Sequence, residues 1–139
     1  MGQQQLLVLG IVIVGLAVVV GIRAFSENQG GSKQDAMLTD LTRLSSDAYA
    51  WYLKPATMGG GSANPAGISM AALGFDTNAD GNYETANALY NVEYNSVDEA
   101  FDIGACDELT GLWTGMFVYI ADGSVEHMGW GTQPDCTSF

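Results

Sequence analysis

The chain has 139 residues, enough for one domain. Sixteen acidic residues against four basic ones give a net charge of −12, which repels phosphate backbones and sets nucleic-acid binding aside as a primary role. Charged residues make up only 14% of the chain and the acids form no like-charge block, so Gly, Asn, Ser and Thr supply much of the polarity, as suits an extracellular surface.

The first element is an uncharged apolar run, Leu6 to Ile22 (LLVLGIVIVGLAVVVGI). A helix of that length rises about 25 Å, and continuing through Ala24 and Phe25, with Arg23 snorkelling, brings it near the roughly 30 Å hydrocarbon thickness of a bilayer. A cleaved secretory signal would carry a basic leader, and Met1 to Gln5 has no Lys or Arg. Myristoylation at Gly2 is disfavoured because the sixth residue is Leu6 rather than Ser or Thr. Gly10, Gly15, Ala17 and Gly21 are small, which lets apolar helices approach closely where every neighbour is equally greasy. Such a helix either anchors a domain in a membrane or packs against copies of itself in a filament core. The second reading is favoured.

Ser26 to Ser32 contains the pair Gly30-Gly31, which costs a helix about 2 kcal/mol relative to alanines. A local break over 26–33 is the expectation, with a helix imposed by its flanks as the alternative. From Gln34 to Leu53 the residues Met37, Leu41, Leu44, Ala48 and Trp51 recur at spacings of 4, 3, 4 and 3, one face of a helix that covers the core of the following domain. Pro55 ends it and biases Lys54 toward extended geometry. The domain division is therefore 1–54 for the helix (apolar 1–25, break 26–33, amphipathic 34–54) and 55–139 for a globular β-rich head.

In the head, Met58 to Ser62 opens a loop running to about Gly67. Ile68 to Phe75 reads as a first strand and Tyr83 to Tyr94 as a second extended stretch, while Val97 to Ile103 is ambiguous. Trp113 to Ile120 is a strand, Ala121-Asp122-Gly123 a turn and Ser124 to Trp130 its hairpin partner. Strands joined by hairpins imply an antiparallel sheet with one face on the helix and the other toward solvent, so the fold class is α+β. About 85 residues make a small core, of the size that a disulfide usually supports. Cys106 and Cys136 lie in loop-like segments rather than apolar runs, which favours a pair over two free thiols.

Asp76, Asn78, Asp80, Asn82 and Glu84 place oxygen side chains at positions 1, 3, 5, 7 and 9 of a calcium-type loop, with Gly81 at position 6. The twelfth position, usually a bidentate acid, is Asn87, so an Asx-rich hairpin turn is the first reading and a calcium site the second. No other cofactor is expected. His127 is the only histidine and is expected to be structural or solvent-facing. One histidine beside paired cysteines supports no nucleophilic triad, no C-x-x-C-H occurs, and the glycines at 59–61 lack the lysine of a phosphate loop, so no enzyme is expected.

An N-terminal apolar helix, an amphipathic extension to about residue 53 and a small β-rich domain with a late cysteine pair together resemble a type IV pilin. The residues that carry this are QQQLLVLGIVIVGLAVVVGI and the tail from Cys106 to Cys136. The start, with WYLKPATMGGGS and the turn NADGNY, is also similar to pilin-like proteins of bacteria related to the Bacteroidetes. The resemblance implies a cell-surface filament subunit that waits in the inner membrane, is handled by filament assembly machinery and polymerises with itself. Gln5, Leu6, Gly10, Val14, Gly15, Val18 and Gly21 would then lie on the polymerisation helix. Two features depart from that pattern. The usual short basic leader is not seen, and Gln5 stands where such pilins carry a glutamate that pairs with a neighbour's amino terminus. An amide accepts a hydrogen bond from an ammonium but adds no charge. The alternatives are a pseudopilin and a single-pass anchored extracellular binding domain.

Overall fold

A computed structural model describes residues 2–137, without the side chains of residues 22–31. It contains one long helix, α1 (Gly2–Leu53), a 3-10 turn at Ala56–Met58, and five strands: β1 (Tyr83–Glu84), β2 (Leu89–Asn95), β3 (Ala100–Cys106), β4 (Leu112–Tyr119) and β5 (Val125–Thr132). The strands form one antiparallel sheet in the order β1-β2-β3-β4-β5, a meander in which each strand pairs with the next. The fold is α+β, as the alternation of helical and two-residue periods implies.

The local break expected over 26–33 is absent, and α1 runs through it. Helix formation is cooperative, so long flanks on both sides supply the nucleus that two glycines would lack in isolation. The chain divides into two compact units inside this helix, between Asp35 and Ala36, rather than at its end. The stripe that begins at Met37 explains the position of that division. Met37, Leu41, Leu44 and Ala48 are buried against Tyr90, Val92, Phe101, Ile103, Met116 and Val118 of the sheet, with Trp51 half-buried beside them. The second half of the helix thus belongs to the core of the head.

Two strand expectations fail for local reasons. Ile68 to Phe75 is a run of turns rather than a strand. Ser69 Oγ accepts the N–H of Ala72, and the N–H groups of Leu73, Gly74 and Phe75 find carbonyls three to five residues back. The backbone is satisfied locally and has no ladder to join. Tyr83 to Tyr94 is broken after Glu84, because Thr85 Oγ1 accepts the N–H groups of Asn87 and Ala88 and closes a turn. The ambiguous stretch from Val97 divides into a turn and β3. The β4–β5 hairpin lies as expected, with a bulge between Thr114 and Met116. Gly115 sits in the bulge, where a Cβ would come 2.7 Å from the Met128 sulfur.

Candidate functional site

Two surfaces stand out, one in each unit. In the first, Gly2–Gly21 has a mean hydropathy of 2.4 and none of it is buried. Leu6, Val14 and Val18 are 69%, 63% and 56% exposed, and Gln5 is exposed beside them. A Cβ added at Gly10, Gly15 or Gly21 would meet nothing within 4 Å. From Leu6 to Gly21 the helix is therefore apolar on all sides and smooth at its glycines, and no residue of it is buried among the described residues. It is long and apolar enough to cross a membrane.

In the second unit, the end of α1 is wrapped by the glycine-rich loop. Gly61, Ser62 and Ala63 donate their N–H groups to the carbonyls of Trp51, Lys54 and Tyr52, which satisfies acceptors left open at a helix end. Gly61 is held so tightly that a Cβ there would lie 2.7 Å from the Trp51 ring. This loop, the last turns of α1 and Leu73 to Phe75 enclose an open groove of about 790 Å³. Arg43 and Lys54 line it, together with Asp47, Trp51 and Phe75. The Arg43 guanidinium stands 5.9 Å from the centre of the Phe75 ring, within cation–π reach, and its Nε is 3.9 Å from Asp47. Sequence reading missed this groove, because nothing in the residues 59–75 signals that they fold back over the helix.

The oxygen-rich segment forms a turn. Asn78 Oδ1 accepts the N–H groups of Asp80 and Asn82, at 3.0 Å each, and the Asn78 N–H donates to the Asn82 carbonyl. Asn82 is buried, whereas Asp76, Asp80 and Glu84 are exposed. Among the described residues no three His, Cys, Asp or Glu side chains converge as metal ligands. The side-chain oxygen of Asn78 is engaged in holding the turn.

Cys106 and Cys136 are joined as a disulfide, with both cysteines buried beside Leu89 and Trp113. The bridge fastens the end of the chain to the last residue of β3. His127 is exposed on β5, where its Nε2 shares a 2.7 Å hydrogen bond with Thr114 Oγ1 and its ring meets Trp130 edge-on. Its partners are a hydroxyl and an indole face, an arrangement that braces the bulge.

On the sheet face turned away from α1, Glu93 and Asp102 lie beside Trp113, Phe117 and Met128 around a cavity of about 180 Å³. Burial pushes the Asp102 carboxyl above its usual range, and the charges of Asp98 and Glu93 add to the shift while the Asn95 amide opposes it. On the helix side, the Tyr90 hydroxyl donates to Asp40 Oδ2 at 2.6 Å. Burial and that carboxylate push the phenol well above its ordinary value.

No family model, curated protein or solved structure matches the chain.

Proposed function

We propose that the chain is the structural subunit of an extracellular helical filament of the type IV pilus kind. The apolar half of α1 bundles with its copies into a dry core and the heads form the sheath. The observation that carries this reading is a helical span of 20 residues, Gly2–Gly21, that is apolar all round from Leu6 onward and has no buried residue. Such a surface needs lipid or other apolar helices as its solvent, and smooth glycine positions suit helices as neighbours. The amphipathic continuation supports it as well, because Met37, Leu41, Leu44 and Ala48 root the second part of α1 in the core of the head. The head offers an acidic exterior pinned by a disulfide, which suits a structural role in a sheath.

A second reading, a single-pass anchored binding domain, rests on the same span, since its hydropathy suits a bilayer equally. The partners proposed are copies of the same chain, the membrane before assembly and the machinery that moves subunits out of it.

Electron microscopy of cell-surface material should show filaments containing the chain. Val14→Asp or Gly15→Glu should abolish them, because an unpaired charge in a waterless core costs several kcal/mol. The near-ultraviolet circular dichroism of the head should be unchanged, since the nearest part of its core begins at Met37. Filaments that persist in either variant would sink the helical-core reading, and wild-type cells bearing the chain without filaments would favour the anchored domain.

A further inference from the structure

All four basic residues of the chain, Arg23, Lys33, Arg43 and Lys54, precede Pro55, and the twelve acids from Asp76 onward have no Lys or Arg among them. Within the unit that begins at Ala36, the only two such cations are Arg43 and Lys54, and both line the groove at the end of α1. Asp47 offsets part of their charge, yet the groove remains the one place on this unit where lysine and arginine meet. Its remaining wall is apolar, supplied by Trp51, Leu73 and Phe75. The Arg43 side chain is 71% exposed, so its planar fork of donors faces outward. Heads that carry only acids elsewhere repel each other at every contact that does not include this groove.

The complementary surface is an apolar residue flanked by carboxylates, and the head displays two at turn tips: Val97 and Leu109, each 88% exposed. At the second tip, Asp107 is buried and occupied in holding its turn through Leu109 N–H and Thr110 Oγ1, leaving Glu108 alone to offer charge. At the first, Val97 is followed by exposed Asp98 and Glu99, two carboxylates for two cations. That tip is also built in advance. Asn95 Oδ1 accepts the N–H groups of Val97 and Asp98, and its Nδ2 donates to Asp98 and Asp102. Glu99 takes a left-handed backbone, φ 50°, which turns the chain into β3. A preorganised tip loses little conformational entropy on docking.

We propose that the Arg43–Lys54 groove of one copy receives the Val97–Glu99 hairpin tip of a neighbouring copy. Val97 packs against Trp51 and Phe75 while Asp98 and Glu99 face Arg43 and Lys54. Groove and tip are different surfaces of one head, so the contact is heterologous, the type that propagates as a helical filament wherever its rotation does not close a ring. The inference rests on the filament reading, because a three-residue tip buries far less than the roughly 1,200 Å² of a stable free-standing pair. It would set the rotation between heads that the apolar core leaves free.

The test uses full-length chains assembled into filaments that are first verified by electron microscopy. Both native cysteines are already bonded, so only introduced thiols react. With Lys54→Cys and Val97→Cys together, mild oxidation should give a non-reducing gel ladder of dimers, trimers and higher species, and each single variant should give dimers at most. Asp98→Lys with Glu99→Lys should reduce filament yield at least tenfold, and adding Arg43→Glu with Lys54→Glu should restore it. Filaments that form without a ladder, or a ladder that appears only when Leu109→Cys replaces Val97→Cys, would overturn this contact and leave the filament reading standing. Wild-type chains that form no filaments would overturn both.

Discussion

Tyr90 shows how a single side chain in this head couples packing to protonation. It stands on β2 with its side chain fully buried and its ring 6.1 Å from that of Tyr83, and its hydroxyl reaches Asp40 on α1. Losing that proton in the folded state would place a phenolate beside a carboxylate in a dry setting, so the folded phenol holds its proton above the ordinary value of about 10. The unfolded chain releases the proton first. The resulting stability is present in full below pH about 10 and is lost above it, by about 1.4 kcal/mol per pH unit until the folded phenol also titrates. Tyr90→Phe should therefore cost about 1 kcal/mol near neutral pH, the net worth of one hydrogen bond, and should flatten the alkaline fall. Denaturant melts of both proteins between pH 8 and 11 would measure this, and an equal alkaline slope in the variant would contradict it.

At the scale of elements, the helix is two different objects joined end to end. Gly2–Gly21 has no buried face, and the part from Met37 is buried at the period expected from Met37, Leu41, Leu44 and Ala48. Periodicity read the second half correctly because burial in water selects one face of an amphipathic helix. The strands at 68–75 and 83–94 were misread because side-chain hydrogen bonds from Ser69 and Thr85 overrode an extended pattern, and such local competition leaves no periodic trace. The disulfide ties the outermost part of the chain to β3 across 30 residues. A loop of that size is worth about 3–4 kcal/mol in the chain-entropy model. Replacing both cysteines with serine should lower the unfolding free energy of the head by about that amount and expose the segment after Thr132 to proteases first. A destabilisation below about 1 kcal/mol would mean that packing around Leu89 and Trp113 holds the tail without the bridge.

Across the whole molecule, the electrostatics are lopsided: all four lysines and arginines precede Pro55, and twelve of the sixteen acids follow it. In the proposed filament, stacking copies that each carry −12 would concentrate repulsion in the sheath. Exposed ion pairs of the kind proposed between groove and tip contribute at most about 1 kcal/mol each, so the repulsion dominates. Salt shortens the Debye length from about 30 Å at 0.01 M to about 3 Å at 1 M. Filaments should dissociate at higher temperature as sodium chloride is raised, with a steeper dependence in Arg43→Glu, Lys54→Glu chains. Sucrose strengthens burial without screening, so it separates the two causes. A dissociation temperature that falls with sodium chloride would show that pairing between subunits outweighs sheath repulsion.

Much of this protein follows from residue order alone. An unbroken apolar run must be helical wherever water is absent, a 4-3-4-3 stripe must bury one face, and two cysteines in one small head have one way to pair. These are properties of neighbours along the chain, or of a count, and need no knowledge of compartment or of what lies across the fold. The groove beside Arg43 and Lys54 is of another kind. It exists because residues 59–75 return over the end of α1, placing Phe75 under Arg43 and Gly61 against Trp51. Such meetings depend on long-range packing, which sequence spacing does not encode. The continuity of α1 through Gly30-Gly31 is likewise a cooperative outcome of its flanks, where a residue-by-residue propensity places a break.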